Sequence, residues 1–289
     1  MLKLLKSFKK SRSQMMPYKL QQAEAKPICS PLLAHRNNVA SQDGEDGIIE
    51  KIFAVMPPKN RFCVEFGAWD GKYFSNTWNL LTHHSWSGLL IEGSPKKFRE
   101  LTDNFKGNSA VRCLNQFVDF EGPNSLDDIL ARMDAPTEPD FISIDIDGAD
   151  YFIWESLERF RPRVLVIEFN PSIPNDVLFV QPKSNAINQG CSLLALIQLG
   201  KEKGYELICC TGWNAFFVEK NNFDLFEIRD NAIDKLYTPV CDGRIFHGYD
   251  SYVYVTGMSR LIWSQTPVAS QNFQVLPFSK RKFGDSQRG

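Results

Sequence analysis

The chain has 289 residues, a formal net charge of −1 at pH 7 and a hydrophobic fraction of 43% that includes 22 Phe. This composition supplies a large apolar core and excludes a wholly disordered chain. Basic residues are concentrated at the ends, because residues 1–36 hold eight Lys and Arg against the single acid Glu24. The part between the ends is therefore net acidic, which argues against a nucleic-acid-binding surface on the folded body.

The composition also predicts how the chain is organised. Residues 1–40 are basic, contain three prolines and have little periodicity, so we expect a loosely ordered arm that can contact an anionic membrane surface. Residues 41–260 are expected to form the main domain, and 261–289 a C-terminal extension. No apolar run reaches 18 residues, so no transmembrane segment is predicted. The seven cysteines form no C-x-x-C pair, which favours the reducing cytoplasm. A homo-oligomer is compatible with the sequence.

Apolar periodicity predicts alternating strands and helices after a first helix at residues 42–56. Continuous apolar runs predict parallel strands covered by helices on both faces. A later helix is expected at 192–203, followed by a hairpin of two strands around Thr211-Gly212-Trp213-Asn214. The predicted fold is therefore α/β, a doubly wound, mostly parallel sheet with a C-terminal antiparallel hairpin. The first five strands are expected at 61–66, 88–92, 110–114, 140–146 and 163–169, and the helices between them at 75–83, 95–106, 124–133 and 150–158.

The first candidate site is the turn in Arg61-Phe-Cys-Val-Glu65-Phe-Gly67-Ala-Trp-Asp70-Gly71. A strand that ends in an acid and turns at glycines lets a ligand approach the backbone, and Glu92 ends the next strand, where nucleoside-binding sheets place a ribose-binding carboxylate. The spacing is not the G-x-G-x-x-G of a dinucleotide site. The acids beside the turn would repel a pyrophosphate and attract a sulfonium, which favours S-adenosylmethionine over NAD. The alternative to a ligand site is an ordinary strand-to-helix turn with solvated acids.

Two further groups of carboxylates end predicted strands. Asp145 and Asp147 lie two residues apart in Phe141-Ile-Ser-Ile-Asp-Ile-Asp-Gly148, and Glu168 ends the following strand before Asn170. These positions meet at the carboxyl edge of a parallel sheet, where open α/β folds bind ligands. Three roles are open: metal coordination, general base catalysis, or attraction of a cationic cofactor. The alternative is that one acid caps the next helix and the other is solvated, and that Asn170 only binds loop backbone. The loop from Asn170 to Gly190 is expected to contribute to substrate binding.

These motifs resemble the FkbM-type group of class I S-adenosylmethionine-dependent methyltransferases. The resemblance implies a Rossmann-like seven-stranded sheet whose last two strands form an antiparallel hairpin. It implies S-adenosylmethionine as cofactor, with Asp145 facing the methionine moiety and the acceptor, and O-methylation of a sugar or secondary-metabolite hydroxyl on a small-molecule or glycan acceptor. The resembling stretches are residues 41–53, 64–81, 88–98, 140–157, 164–174 and 204–218.

The residue roles follow from the turn, the strand ends and the resemblance together. The expected catalytic residues are Asp145, Asp147 and Glu168. A divalent metal, where one is used, would be held by Asp145, Glu168 and Asn170. The expected cofactor-binding residues are Glu65, Gly67, Ala68, Asp70, Gly71, Glu92, Gly93 and Asp145.

Two readings from other classes stay open at this point. The apolar run before Asp145-x-Asp147 is similar to the motif with which metal-dependent glycosyltransferases hold manganese and a nucleotide sugar, although the early glycine turn and the late hairpin oppose that reading. The second reading is a non-catalytic binding protein that retains the cofactor fold and acts through its basic arm.

Overall fold

A computed structural model describes residues 30–239 and 243–282 of the protein. Pro27–Val240 is one compact unit, and residues 243–282 belong to a second. Most of the predicted basic arm, residues 1–29, lies outside the described residues. The part of the arm that is described includes a 3-10 helix, Pro31–His35, with Leu32 buried.

The first unit is built on one seven-stranded sheet with the order β3-β2-β1-β4-β5-β7-β6. Strands β1 to β5 are parallel to one another, whereas β7 runs antiparallel to both β5 and β6. This arrangement confirms the predicted doubly wound, mostly parallel sheet with an antiparallel hairpin. The strands are β1 (Phe62–Phe66), β2 (Ser87–Glu92), β3 (Val111–Asn115), β4 (Phe141–Ile144), β5 (Val164–Glu168), β6 (Tyr205–Cys210) and β7 (Asn214–Glu219).

Helices connect these strands in the order that the periodicity predicts. Three of them begin at hydroxyl caps: the side chain of Ser94 accepts from the backbone N–H of Lys97, that of Ser125 from Asp128, and that of Ser192 from Ala195. The helices are α1 (Glu45–Val55), α2 (Trp78–His83), α3 (Pro95–Asn104), α4 (Leu126–Arg132), α5 (Asp150–Ser156), α6 (Leu193–Glu202) and α7 (Ile233–Leu236), with a 3-10 segment at Lys220–Phe226.

The core lies between the sheet and its helices. In α1, Ile48, Ile49 and Ile52 are fully buried, as their helical spacing predicts. On α5, Trp154 packs its ring against Phe217 of β7 at 4.8 Å between centroids. These contacts fix both faces of the sheet and leave its carboxyl edge to be shaped by loops.

The switch in strand order places a crevice between β1 and β4. The chain proceeds from β1 to β2 on one side, whereas β4 and β5 lie on the other. Ligands bind at such a switch point, outside the carboxyl ends of the strands, in open α/β sheets. The turns that follow β1 and β4 are therefore the ones that position a site.

The second unit contains a two-stranded antiparallel sheet of β8 (Arg244–His247) and β9 (Val253–Thr256). The sequence predicts a strand at residues 252–255, which overlaps β9, and none at β8. Two 3-10 helices, Ser270–Phe273 and Phe278–Lys280, follow where the sequence predicts no regular element. No helix among the described residues is long and apolar enough to span a bilayer.

Candidate functional site

The turn after β1 passes directly over the end of β4. Gly67 has a φ of +72°, and a Cβ placed on it would lie 1.6 Å from the carbonyl oxygen of Asp145. No side chain fits in that space, and the backbone conformation itself favours glycine. Gly67 is thus required for the two strand ends to approach each other, which joins the predicted cofactor turn to the predicted catalytic aspartate.

Glu65 anchors the loop that follows this turn. Its carboxylate accepts hydrogen bonds from Ser75 Oγ at 2.6 Å, from Thr77 Oγ1 at 2.7 Å and from the backbone N–H of Asn76 at 2.8 Å. Burial raises its pKa despite these donors. Glu65 therefore acts within the fold by fixing residues 75–77 against the end of β1.

The middle of the turn is shaped by local contacts. Asp70 Oδ1 accepts from the backbone N–H groups of Lys72 and Tyr73, at 2.9 and 2.7 Å. Gly71 has a φ of +74°, and a Cβ on it would lie 2.4 Å from Leu101 Cδ1 of α3. Ala68 is buried and donates its N–H to the carbonyl of Ile91. These contacts fix the backbone conformation of the turn.

Glu92 connects the turn after β1 to the turn after β2. Its Oε2 accepts from the backbone N–H of Trp69 at 2.8 Å, and its Oε1 from that of Ser94 at 2.6 Å. A carboxylate offers about four acceptor positions, so each oxygen retains capacity for a further donor. Beside it, Gly93 lies against Phe117, whose ring would be 2.8 Å from an added Cβ. Phe117 is exposed at the end of β3.

Asp145, Asp147 and Glu168 come together at the carboxyl edge of β4 and β5. One carboxylate oxygen from each lies within 4.8 Å of the others. The sequence predicts that Asp145 and Asp147 are adjacent because both point from one strand, but β4 ends at Ile144. Asp147 instead has a left-handed backbone with a φ of +57°. The turn, rather than strand alternation, brings its carboxylate to Asp145.

Asp145 and Glu168 lie in an environment that is unfavourable for negative charge. Burial raises the pKa of Asp145 to about 8, with further contributions from Asp150 and Asp147. Burial and the nearby Asp145 also raise the pKa of Glu168 well above its ordinary value. The group therefore holds a proton or a cation readily near neutral pH.

Asp150, which the sequence predicts only as the first residue of a helix, holds the turn that carries Asp147. Its Oδ1 accepts from the backbone N–H of Ile146 and its Oδ2 from that of Gly148, each at 2.9 Å. Both bonds span the turn between β4 and α5. Burial raises the pKa of Asp150, and the charge of Asp150 in turn contributes to the raised pKa of Asp145.

A second acid outside the predicted site, Glu45, lies on the β5 side. It is fully buried at the start of α1, and its Oε1 accepts from Thr211 Oγ1 at 2.7 Å and from Asn214 Nδ2 at 3.2 Å. Asn214 pairs in register with Glu168 across β5 and β7. The only sequence signal for Glu45 was its place in the resembling stretch 41–53.

Two buried amide oxygens flank this acidic edge. Asn76 donates its Nδ2 to Ser143 Oγ at 3.0 Å, yet its Oδ1 has no hydrogen-bond partner among the described residues. The Oδ1 of Asn214 is likewise without one among these residues. Buried polar atoms are normally satisfied, so this edge presents acceptors to a positively charged or hydrogen-bonding ligand.

The loop from Asn170 to Gly190 packs against the same edge. Gln181 is buried, and its Oε1 accepts from the backbone N–H groups of Gln189 and Gly190, each at 2.9 Å. The carbonyl oxygen of Ile187 would lie 2.8 Å from a Cβ on Gly148. The loop is thus folded around Gln181 and held beside the turn that carries Asp147.

Asn170, the third predicted metal ligand, is engaged within this loop. Its Nδ2 donates to the carbonyl of Gln189 at 2.9 Å, and its Oδ1 accepts from the backbone N–H of Ser172 at 3.0 Å and from Ser172 Oγ. Asn170 therefore closes the base of the loop by binding loop backbone, which is the structural alternative that the sequence left open.

Comparison with known proteins places this geometry in a class. The seven-stranded order with an antiparallel β7 is the Rossmann-like arrangement that the sequence predicts. The family model described as the methyltransferase FkbM domain matches residues 123–207. Within this segment the match confirms the resemblance predicted from the sequence. The matched segment contains Asp145, Asp147 and Glu168, whereas Gly67 and Glu92 precede it.

Similar solved structures, some of which are described as methyltransferases, have low sequence identity to this chain. The N-terminal domain of EvdMO1 with SAH bound is 15% identical, with a TM-score of 0.43, and the alignment covers 63% of this chain and 82% of that one. A putative sarcosine dimethylglycine methyltransferase from Galdieria sulphuraria is 14% identical, with a TM-score of 0.39 and coverages of 57% and 62%. A SAM dependent methyltransferase from Aquifex aeolicus is 13% identical, with a TM-score of 0.37 and coverages of 58% and 86%. No curated protein matches the sequence.

Proposed function

We propose that the protein transfers a methyl group from S-adenosylmethionine to a hydroxyl of a sugar or secondary metabolite. The observation that carries this proposal is the contact between the Gly67 turn and Asp145, which joins a cofactor turn to a group of three carboxylates. A sulfonium cofactor is attracted by such charge, whereas a pyrophosphate is repelled. A hydroxyl acceptor must also lose a proton, for which carboxylates are suited.

The cofactor would lie over the turns after β1 and β2. In this proposal Glu92 binds the two ribose hydroxyls with the acceptor capacity left after its bonds to Trp69 and Ser94. Gly67, Ala68 and Gly93 would provide close backbone approach. Glu65, Asp70 and Gly71 would act indirectly, because their contacts shape the turn.

Methyl transfer from a sulfonium is an in-line displacement in which the cofactor supplies the activated carbon. The protein aligns the acceptor oxygen and removes its proton. Asp145 is proposed as the base, because a pKa of about 8 suits proton transfer near neutral pH. Glu168 and Asp147 would then hold the acceptor in place through hydrogen bonds.

The same three carboxylates fit a divalent cation. Their oxygens are hard ligands of the kind that Mg²⁺ and Mn²⁺ prefer, and they lie close enough to converge on one ion. A bound cation would lower the pKa of an acceptor hydroxyl and orient it. It would also relieve the repulsion that raises the pKa of Asp145 and Glu168. Full methyl transfer in excess EDTA would eliminate this metal role and leave the base role standing.

Acceptor selection is proposed for the loop folded around Gln181. It lies against Gly148 and follows β5 directly, so it borders the three carboxylates. Loops on a rigid sheet edge commonly determine specificity. The acceptor is proposed to be a small molecule or a glycan, and a nucleic acid is not expected, because the acidic edge would repel phosphates.

The location and assembly remain proposals. We infer a cytoplasmic enzyme because the described cysteines are free thiols, of which Cys63, Cys191, Cys209 and Cys210 are buried. We likewise propose that the main domain spans residues 41–260. We also propose that the protein forms a homo-oligomer, which light scattering on the purified protein tests.

The experiment that tests the function is to identify, by mass spectrometry, the small molecule that co-purifies with the protein. We expect S-adenosylmethionine or S-adenosylhomocysteine, and incubation with hydroxyl acceptors should then generate S-adenosylhomocysteine. A nucleotide sugar retained with manganese would instead support the glycosyltransferase reading. Cofactor binding without turnover on any acceptor would support a non-catalytic binding protein.

A further inference from the structure

The second unit exposes an unusual density of large apolar side chains. Its 40 described residues, 243–282, hold more exposed large hydrophobics than the 210 described residues of the first unit. Isolated surface apolar residues need no explanation, but a concentration of them marks an interaction surface. The exposed large hydrophobics of this unit are Ile245, Phe246, Tyr249, Leu261, Trp263, Phe273, Val275, Leu276 and Phe278.

Apolar and basic groups are adjacent at the end of this unit. Val275, which is 85% exposed, is followed by the exposed Leu276 and Phe278, and then by Lys280, Arg281 and Lys282. The guanidinium of Arg281 folds back over this segment: its Nε donates to the carbonyl of Leu276 at 2.9 Å. The segment therefore presents hydrocarbon and positive charge on one short stretch of chain.

The net charge of the unit is positive although that of the whole chain is −1. Residues 243–282 contain a single acid, Asp250, whose Oδ1 accepts from the backbone N–H of Tyr252 and whose Oδ2 accepts from Tyr254 OH. The unit is thus complementary to an anionic partner. Its basic residues are Arg244, Arg260, Lys280, Arg281 and Lys282.

The hairpin adds exposed aromatic surface. All four residues of β8 are exposed, and the ring of Phe246 stacks on that of Tyr254 at 5.3 Å between centroids. Tyr and Trp side chains favour the boundary between water and lipid, where one end of the ring system is apolar and the other is wet. Tyr249, at the turn of the hairpin, is fully exposed.

We propose that residues 243–282 form a docking surface for an anionic lipid bilayer. Aliphatic side chains such as Val275 and Leu276 gain from entering hydrocarbon, whereas a nucleic acid offers them no comparable environment. Each Lys or Arg near an anionic leaflet strengthens attachment by about fivefold. Attachment is peripheral, through side chains at the interface. This proposal is independent of the methyl-transfer chemistry.

The test is flotation of the full-length protein with vesicles of phosphatidylcholine alone or of phosphatidylcholine with phosphatidylserine. We expect association with the anionic vesicles only, decreasing as salt is raised, because salt screens the attraction. Lys280→Glu with Lys282→Glu should lower the partition coefficient by at least about tenfold. Val275→Asp should lower it by about fivefold or more, because a charge replaces an inserting side chain.

Matched variants in the first unit control for charge and for loss of apolar surface. They are Lys106→Glu with Lys220→Glu, and Leu225→Asp, all at exposed positions. These should leave partitioning within about twofold of the native protein, since they lie outside the proposed surface. A circular dichroism melt of each variant checks that it is folded. If Val275→Asp is not folded, Val275→Ser is used in its place.

Three results would overturn the proposal. One is equal partitioning to neutral and anionic vesicles, or none to either. Another is partitioning that survives both variants of the second unit but disappears when Lys3, Lys6, Lys9 and Lys10 of the full-length protein are replaced by Glu, which would assign attachment to the basic arm. The third is binding to DNA or to an acidic polypeptide that depends on Lys280 and Lys282 but not on Val275, without vesicle binding. That result would assign the surface to a soluble polyanion.

Discussion

Gly67 and Asp145 are in such close contact that the turn after β1 rests on the carbonyl oxygen of the aspartate, and a Cβ on the glycine would lie 1.6 Å from it. The contact joins two neighbouring strand ends at the switch point of the sheet. The two turns therefore pack against each other with no room for a side chain at position 67.

We expect Gly67→Ala to destabilise the protein severely, because it adds a steric clash to a φ of +72°. The matched control is Gly107→Ala, which has a φ of +88° but no atom within 4 Å of the added Cβ. The control should cost only the backbone strain, about 1–2 kcal/mol. Urea denaturation of both variants measures the difference. Equal losses of stability would show that the contact with Asp145 relaxes freely.

Glu92 gives a test of the proposed ribose site. Glu92→Gln keeps the size of the side chain but removes its charge, so we expect S-adenosylmethionine to bind more weakly by about 1.5–3 kcal/mol, the scale for a hydrogen bond to a charged group. Calorimetry measures the affinity, with Glu202→Gln at an exposed position of α6 as the control. Because Glu92 also bonds Trp69 and Ser94, a thermal melt must show that the variant is folded. Unchanged affinity in a folded variant would place the ribose acid elsewhere.

Because the pKa of Asp145 is raised, we expect the free energy of unfolding to depend on pH, and the raised pKa fixes the direction of that dependence. The carboxyl titrates at an ordinary value of 3.8 when unfolded and at about 8 when folded. The folded protein therefore binds the extra proton between these values, and its stability falls as pH rises through this window. Below this pH window Asp145 is protonated in both the folded and the unfolded protein, so it does not make stability depend on pH. Above the window Asp145 is ionised in both, and the folded protein is destabilised by the full cost of the buried charge.

Asp145→Asn removes this titration while nearly preserving shape. We expect the variant to melt at the same temperature as the native protein near pH 4 and at least about 2 °C higher at pH 8. Measurement in EDTA prevents a divalent cation from compensating the charge, and Asp224→Asn at an exposed position is the control. Methyl transfer by Asp145→Asn should nevertheless be lost. A variant that is less stable at pH 8 would contradict the raised pKa.

Much of the fold followed from the sequence because its signals are local. Buried parallel strands are continuous apolar runs, and the Ser caps of α3 and α6 mark helix starts. Asp145, Asp147 and Glu168 could be placed at one edge because parallel strands end on the same side. Strand β8 could not be predicted, because all of its residues are exposed and it lacks an apolar face.

The parts of the site that could not be predicted depend on contacts between residues distant in sequence. Glu45 is next to β5 only because Thr211 and Asn214, about 170 positions later, hold its carboxylate. Asp150 resembles an ordinary first residue of a helix, and its bonds to the turn before it are visible only in three dimensions. Nothing local distinguishes a buried acid of this kind from a solvated one.

The last prediction concerns Gln181, whose side chain organises the loop beside the three carboxylates. Its Oε1 accepts from Gln189 and Gly190, and its Nε2 donates to the carbonyl of Ser184 at 3.1 Å. Gln181→Ala leaves these groups unpaired, so we expect the loop to lose its fixed shape while the sheet remains intact. S-adenosylmethionine affinity should stay within about 1 kcal/mol of the native value, because the proposed cofactor turns are formed by other elements.

Methyl transfer by the same variant should fall by about 100-fold, because a displaced loop no longer aligns the acceptor with the methyl group. Single-turnover transfer measured beside calorimetric affinity separates the two effects. The matched control is Asn222→Ala, a polar residue of the 3-10 segment after β7 that lies outside the loop. Its transfer rate and affinity should both be unchanged. If Gln181→Ala instead loses cofactor affinity while its melting curve matches that of the control, the loop belongs to the cofactor site and does not select the acceptor.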